Sequence, residues 1–322
     1  MDKHYVGIDL GGTNIKGGVV TASGEVLHFE SIETEVEGGR DHVLDRIGML
    51  AGKVRDAAGL QPEQIAAVGI GSPGPLDTKR GIIHEAPNLP GWINLPLADE
   101  VRRRCGYPTF LENDANSAAL AEAHVGAGKG TQCMIMLTLG TGIGGGIVLG
   151  GRVWHGADDI AAELGHVSVK YDGIPCNCGS IGCVEAYASA TGVVRRARQA
   201  IEQGADSSLA GADDSLTCEQ VFRAAAAGDR LAQQVVDDTA AYLGTAIGSL
   251  INIFNPDMIV LFGGMTNAGD QLLVPLRHEV RKRSFKIGAD RCKIVCSRLG
   301  AEAGVIGAAV TAMQALQEQR EA

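Results

Sequence analysis

The chain has 322 residues, enough for about two domains at a typical ~150 each, and its 45% hydrophobic and 20% charged residues exclude a disordered chain or a disulfide-stapled miniprotein. The 28 Lys and Arg against 38 Asp and Glu leave a formal charge of −10, so a general electrostatic footprint for nucleic acid is missing. Glycine is in excess, 45 of 322 or about 14% against a usual ~7%, which predicts segments that need bare backbone.

Strands are predicted over 5–10, 16–20 and 25–29, the last after the turn Ala22-Ser23-Gly24, forming an antiparallel meander. A helix follows over 41–58, where Val43, Leu44, Ile47, Leu50, Ala51 and Val54 make a one-sided apolar stripe. A buried strand over 65–71 runs into Ser72-Pro73-Gly74-Pro75, a turn at the carboxyl edge of a strand, where open α/β sheets place ligands. Helices are expected over 96–104 and 117–124. Strands over 134–139, 145–149 and 152–155, with the turn Gly140-Thr141-Gly142, then copy the opening pattern. An offset of 129 residues superposes Gly11 on Gly140, Gly17 on Gly146 and Val19 on Val148, the trace expected of a duplication. The last third alternates helices over 229–253, 270–282 and 301–317 with strands over 258–262 and 292–296. The polar segment 204–215 reads as a mobile loop between helices.

No run approaches ~18 consecutive apolar residues, and Met1, Asp2, Lys3, His4 and Tyr5 lead directly into a strand-like segment, so we expect a cytoplasmic protein with no membrane partner. The eight cysteines are not spaced as a disulfide framework, and Cys176, Cys178 and Cys183 cluster in a way that suggests metal. Core packing is the expectation for Cys105, Cys133, Cys218, Cys292 and Cys296.

In Asp9-Leu10-Gly11-Gly12-Thr13-Asn14-Ile15-Lys16 a carboxylate ends a strand and two glycines and a hydroxyl fill the turn. Glycine lets backbone N–H groups crowd around phosphate oxygens, Thr13 and Lys16 add a donor and a charge, and Asp9 can hold hydrated Mg²⁺. No helix follows the glycines, so this is neither a Walker A nor a Rossmann fingerprint. Taken alone, the segment has an ordinary glycine hairpin as its lesser alternative. Its echo from Thr138 through Gly140, Thr141 and Gly142 predicts two glycine turns from two domains clamping one polyphosphate. A third turn, Phe262-Gly263-Gly264-Met265, is placed under the base or ribose of a nucleotide.

These three turns resemble those of the sugar kinase, actin and Hsp70 type of ATPase. Glu163-Leu164-Gly165-His166, followed by Cys176-Asn177-Cys178-Gly179-Ser180-Ile181-Gly182-Cys183-Val184-Glu185, resembles the signature of the ROK family of sugar kinases and repressors, and the likeness covers the whole chain. The resemblance implies an α/β protein with two ribonuclease H-like domains of actin/hexokinase/Hsp70 type around a cleft. The smaller would take residues 1–112 plus a returning helix over 302–322, the larger residues 113–301 with a zinc-binding loop. Cys176, Cys178 and Cys183 supply soft thiolates, Gly179 and Gly182 let the chain fold around an ion, and His166 completes a closed Cys₃His zinc site. By the same resemblance the second ring nitrogen of His166 faces sugar hydroxyls, with Glu163 and Glu185 as acceptors beside it.

In Leu111-Glu112-Asn113-Asp114-Ala115, Asn113 or Asp114 on its own is as well explained as a helix N-cap. The resemblance implies instead that Asp114 takes the proton from the attacking sugar hydroxyl and Asn113 holds neighbouring hydroxyls. The implied substrate contacts are Gly74, Asn88, Asn113, Asp114, Glu163, His166 and Glu185. Those for ATP with Mg²⁺ are Asp9, Gly11, Gly12, Thr13, Asn14, Lys16, Thr138, Gly140, Thr141, Gly142, Gly263 and Gly264. Family repressors carry a helix-turn-helix module ahead of the core, and here the first glycine motif begins at Asp9, so no nucleic-acid partner is expected. The cysteine cluster favours ATP over polyphosphate. The segment Ser72-Pro73-Gly74-Pro75-Leu76-Asp77, with Ala86-Pro87-Asn88-Leu89-Pro90-Gly91-Trp92 downstream, is similar to the glucose-phosphorylating branch. N-acetylmannosamine kinases tend to place Arg where Pro75 stands, and proline cannot donate a hydrogen bond. The implied reaction is ATP-dependent phosphorylation of D-glucose at its 6-hydroxyl. An N-acetylmannosamine or other hexose kinase is the runner-up, and a catalytically silent sugar sensor the non-enzyme alternative. Relatives form dimers and tetramers, so a homo-oligomer is expected.

Overall fold

The amino-terminal sheet grows from β-branched and glycine-rich runs broken by tight turns. The computed structural model describes residues 3–86, 88–211 and 215–321. The expected strand entry at Met1 and Asp2, Pro87 of the substrate loop, positions 212–214 of the polar segment and position 322 of the returning helix lie outside the described residues. Strands β1 (His4–Leu10), β2 (Asn14–Thr21) and β3 (Val26–Glu33) form the expected antiparallel meander. Helix α1 (Arg40–Ala57) buries the whole predicted stripe from Val43 to Val54. Strand β4 (Ile65–Ser72) then pairs parallel to β1. The short strands β5 (Leu76–Asp77), β6 (Ile82–Glu85) and β7 (Ile93–Leu95) form a small antiparallel sheet that the sequence reading did not contain. Two to four residues are too few to show a period of two. Helix α2 (Leu97–Cys105), strand β8 (Thr109–Asn113) and helix α3 (Asp114–His124) follow. Helix α3 begins earlier than the predicted 117 because Asn113 caps it.

The second cycle comprises β9 (Cys133–Leu139), β10 (Ile143–Leu149) and β11 (Arg152–Val153). Helices α4 (Val184–Ala188), α5 (Ala190–Glu202), α6 (Cys218–Ala226) and α7 (Arg230–Phe254) come next. Strand β12 (Met258–Phe262), helices α8 (Asp270–Arg283) and α9 (Lys286–Arg291), strand β13 (Lys293–Cys296) and helix α10 (Ala303–Glu321) close the order. Among the described residues the two five-stranded sheets run β3-β2-β1-β4-β8 and β11-β10-β9-β12-β13, the same order position by position. Strands β1 and β9 stand at the 129-residue offset and share one burial pattern, which supports the duplication. The strand expected over 152–155 stops at Val153, because His155 leaves the sheet to meet Glu112.

The chain divides into two compact units, one built from the chain up to Thr131, Gly146–Ala162 and Arg298 onward, the other from Gln132–Gly145 and Glu163–Ser297. Helix α3 and Gly146–Ala162 therefore group with the first unit, beyond the division expected at 112/113. In the first unit, Val6, Ile8, Val68, Ile70 and Leu111 form the core with α1 and α2, and α10 packs on β1, β4 and α3. A Cβ at Gly7 or Gly69 would strike the backbone carbonyl of Val305 or Ala308, so part of the glycine excess serves helix-on-sheet contact rather than ligands. In the second unit α7 packs against α4, α5, α6 and α8. Asp229 caps α7 and also accepts from Ser207 and Ser208, which ties that part of the polar segment to the start of α7. Among the described residues no helix is long and apolar enough to cross a membrane.

Candidate active site and metal centre

In the first unit, strand register sets the site. Asp9 pairs with Gly71 across β1 and β4, and Gly71 with Glu112 across β4 and β8, so three parallel strands end in line. Ser72 and Asn113 form the last pair of β4 and β8, and beyond the strand ends lie Gly11-Gly12-Thr13, Pro73-Gly74 and Asp114. Asp9 is paired with Lys16 at 3.0 Å, and a Cβ at Gly304 of α10 would lie 2.6 Å from the Asp9 Cγ. The turn is closed by Gly11 N–H to the Asn14 carbonyl at 3.0 Å. It is held from below by buried Thr34, whose hydroxyl donates to the Gly11 carbonyl at 2.7 Å and whose N–H donates to that of Thr13 at 2.9 Å. Gly12 lies against Asn88, so residues expected to hold ATP and sugar are brought together. Gly74 sits in its loop at φ 95°, a conformation that favours glycine. Asn113 is the N-cap of α3: its Oδ1 accepts from the N–H groups of Ala115 at 2.9 Å and Asn116 at 3.2 Å. Its amide nitrogen takes no part in the cap. Asp114 opens the helix exposed, its Oδ1 accepting from Ala115 N–H at 2.8 Å.

Beneath that turn lies a pair that the sequence reading missed. Glu112 is only 2% exposed. Its Oε1 accepts from Asn113 N–H at 2.9 Å and Asn116 Nδ2 at 3.1 Å, and its Oε2 accepts from His155 Nε2 at 2.8 Å. Burial works against a charged His155, but the Glu112 hydrogen bond and charge, helped by Asp159 and opposed by Lys79, raise it above its ordinary 6.5. Asp159 accepts from Thr78 N–H at 2.8 Å and from its hydroxyl at 3.1 Å, tying down the segment after His155. The one sequence signal for this pair was an acidic residue in a strand ending at Asn113.

In the second unit, Thr138 Oγ1 accepts from Gly144 N–H at 2.9 Å, and Gly140 N–H donates to the Gly142 carbonyl at 3.0 Å, shaping the turn around Thr141. Thr138 pairs with Phe262, which places Gly263 beside this turn. Gly263 has φ 107°, and a Cβ there would lie 2.6 Å from the Leu139 carbonyl oxygen, so the second and third glycine turns, with Gly264, are brought together. Glu185 on α4 accepts from Ile143 N–H at 2.9 Å through Oε2, while its Oε1 lies 3.9 Å from Cys176 Sγ. Thr141, Gly142, Cys176 and Glu185 share the wall of a cavity of about 290 Å³, whose lining does not include Glu163, His166, Gly263 or Gly264.

The cysteine loop folds back on itself through bridges Pro175 to Ile181 and Ser168 to Cys183. It brings all four expected metal ligands together: one atom each from His166, Cys176, Cys178 and Cys183, all within 4.8 Å of one another. His166 Nδ1 is 3.7 Å from Cys176 Sγ, and the sulfurs of Cys178 and Cys183 are 3.7 Å apart. A regular tetrahedron with ~2.3 Å metal–sulfur bonds has edges of about 3.8 Å, so the set fits a zinc-sized ion. Burial, then hydrogen bonds to Cys178 and Cys176, push the Cys183 thiol up to about 12, while the backbone of Ser180 chiefly lowers Cys178. The other ring nitrogen, His166 Nε2, is 3.8 Å from the Glu163 carboxylate. Of the cysteines expected in the core, Cys292 is buried and Cys105, Cys133, Cys218 and Cys296 are half-buried.

The family model for ROK matches residues 5–315. The glucokinase of Thermotoga maritima is 41% identical over 307 residues, 94% of this chain and 95% of that protein. A ROK hexokinase from Thermus thermophilus superposes with a TM-score of 0.85 at 36% identity, over 98% of this chain and 99% of its own. A ROK family glucokinase from Streptomyces griseus, solved in complex with glucose and AMPPNP, superposes with a TM-score of 0.75 at 36% identity, over 97% of this chain and 99% of its own.

Proposed function

Since the chain belongs to the ROK family and has the actin/hexokinase type of α/β fold, we propose that it is an ATP-dependent glucokinase with Asp114 as general base. The observation that carries this reading is the common ending of β1, β4 and β8, which sets Asp9 and its glycine turn beside the Ser72–Gly74 loop and the Asn113–Asp114 turn. A carboxylate at the start of α3 is there with a glycine turn two strands away. The 6-hydroxyl of glucose gives its proton to the Asp114 carboxylate as O6 bonds to the γ-phosphorus. The bond from that phosphorus to the β–γ bridging oxygen breaks, and ADP leaves with the electron pair. Phosphoryl transfer asks little covalent help of a protein, so orientation of O6 and screening of phosphate charge carry most of the acceleration. Asn113 orients hydroxyls through its amide nitrogen. The backbone N–H groups of the glycine turns, with Thr13 and Lys16, receive the phosphates.

Asp9 is the candidate ligand for the Mg²⁺ that accompanies ATP, which supplies charge neutralisation on the phosphates. His166, Cys176, Cys178 and Cys183 would hold zinc, whose contribution is structural, stiffening the loop that carries them. In that loop His166 directs Nε2 and Glu163 a carboxylate toward sugar hydroxyls, and Glu185 lies on the adjoining α4. The test is ADP release over a panel of glucose, mannose, fructose and N-acetylmannosamine with ATP. Glucose is expected to give the highest kcat/KM; a higher value for N-acetylmannosamine overturns the choice of sugar, and no turnover with any hexose overturns the activity.

A further inference from the structure

We infer that buried Glu112, paired with half-buried His155, is a positioning device that holds the first turn of α3, and with it Asn113 and Asp114, in place for proton removal. This rests on Asp114 being the base proposed above. Glu112 shares a peptide bond with Asn113, and two of its three bonds land on that turn, at Asn113 N–H and Asn116 Nδ2. The third goes to His155, 43 residues away in sequence, at 2.8 Å. Packed apolar residues in place of both partners of a buried ion pair are often neutral or stabilising, so a carboxylate kept at 2% exposure argues for fixing one geometry. A displacement of about 1 Å at a reacting group can cost about a hundredfold in rate.

The pair is also open to titration. The His155 side chain is 33% exposed, and a cavity of about 490 Å³ in the first unit is lined by Lys79, Glu112, Arg152, His155 and Glu318. The charged groups around His155 are Glu112 on β8, Asp159 on its own segment, Lys79 between β5 and β6, and Arg152 on β11, which is itself paired with Glu318 of α10. Because the folded state raises His155 above its ordinary 6.5, the pair is complete below that value and is lost as pH rises through the raised one. The clamp therefore loosens on the alkaline side.

The experiment compares wild type with His155→Gln and His155→Leu, measuring kcat, KM for ATP and glucose across pH, and amide hydrogen exchange at Ala115 and Asn116. His155→Leu is expected to lower kcat by about tenfold to a hundredfold with KM for ATP unchanged. His155→Gln, which still donates to Glu112 and does not titrate, is expected to recover most of kcat and to lose the alkaline fall of the wild type. Wild-type kcat in His155→Leu, or an alkaline fall retained in His155→Gln, overturns the inference. If His155→Leu does not fold, the pH profile of His155→Gln decides. If wild type phosphorylates no hexose, the kinase reading fails by itself. The pair is then judged on exchange alone, corrected for the intrinsic rise of amide exchange with pH: a loss of protection at Ala115 and Asn116 in wild type at alkaline pH but not in His155→Gln supports it, and indistinguishable pH dependence of protection overturns it.

Discussion

Asp114 is exposed and sits at the first position of α3, where its Oδ1 accepts the N–H of Ala115. An asparagine there keeps that acceptor, and the cap itself belongs to Asn113. Asp114→Asn is therefore expected to leave the thermal midpoint and glucose binding close to wild type while cutting kcat by about 10²-fold or more, the lower end of what a general base contributes. Steady-state kinetics beside isothermal titration with glucose separates the two effects, and near-normal kcat removes Asp114 from the base position. The cysteine cluster was legible because its chemistry is concentrated, three thiols within eight positions, whereas Asn113 and Asp114 read on their own as a helix N-cap and were singled out through the family resemblance. Partners chosen by topology were not. Nothing in a linear reading links Glu112 to His155, or Thr34 to the carbonyl of Gly11, because parallel pairing and the return of a later segment bring them together. The same holds for Gly7 and Gly69, which stand in no motif and admit the backbone of α10.

At the scale of elements, the long strands and helices were readable from periodicity, and the matching strand orders of the two sheets explain why the second glycine turn echoed the first. Helix α5 was expected only as an unbounded helix before the polar segment: it opens Ala-Thr-Gly-Val-Val, poor in helix formers, and contacts with α4, α6 and α7 outweigh propensity. The capping of α7 gives a test at this scale. Burial works to raise Asp229, but the Ala232 N–H and the hydroxyls of Ser208 and Ser207 outweigh it and hold the carboxyl down to about 2, below its ordinary 3.8. Its stabilisation is then complete above the ordinary value and is lost as pH falls through the folded one. Asp229→Ala should cost about 1 kcal/mol, and up to about 2, at neutral pH. Urea midpoints of the two proteins should converge as the pH is lowered toward 2. A difference that persists unchanged at the acid end would mean that Asp229 acts without its charge.

For the molecule as a whole, the metal set and the line of strand ends carrying Asp9, Asn113 and Asp114 belong to different compact units. Small zinc modules derive about 10–16 kcal/mol of apparent folding free energy from the ion. The second unit has in addition the buried face of α7 and the paired strands β9, β12 and β13, which owe nothing to the loop. Loss of zinc should therefore loosen the unit locally. Cys178→Ser or chelation is expected to raise hydrogen exchange across 163–188, and at Ile143, whose N–H is held by Glu185. Protection in β1, β4 and β8 should stay at its wild-type level. Glucose affinity should fall before ATP affinity, because Glu163, His166 and Glu185 ride on or beside the loosened loop, whereas Gly11, Gly12 and Thr13 are fixed by Thr34. Metal content by elemental analysis, exchange by mass spectrometry and titrations with glucose and AMPPNP read the three expectations separately. Zinc-free protein that binds glucose normally would leave the cysteine loop a structural clasp with no part in the sugar site.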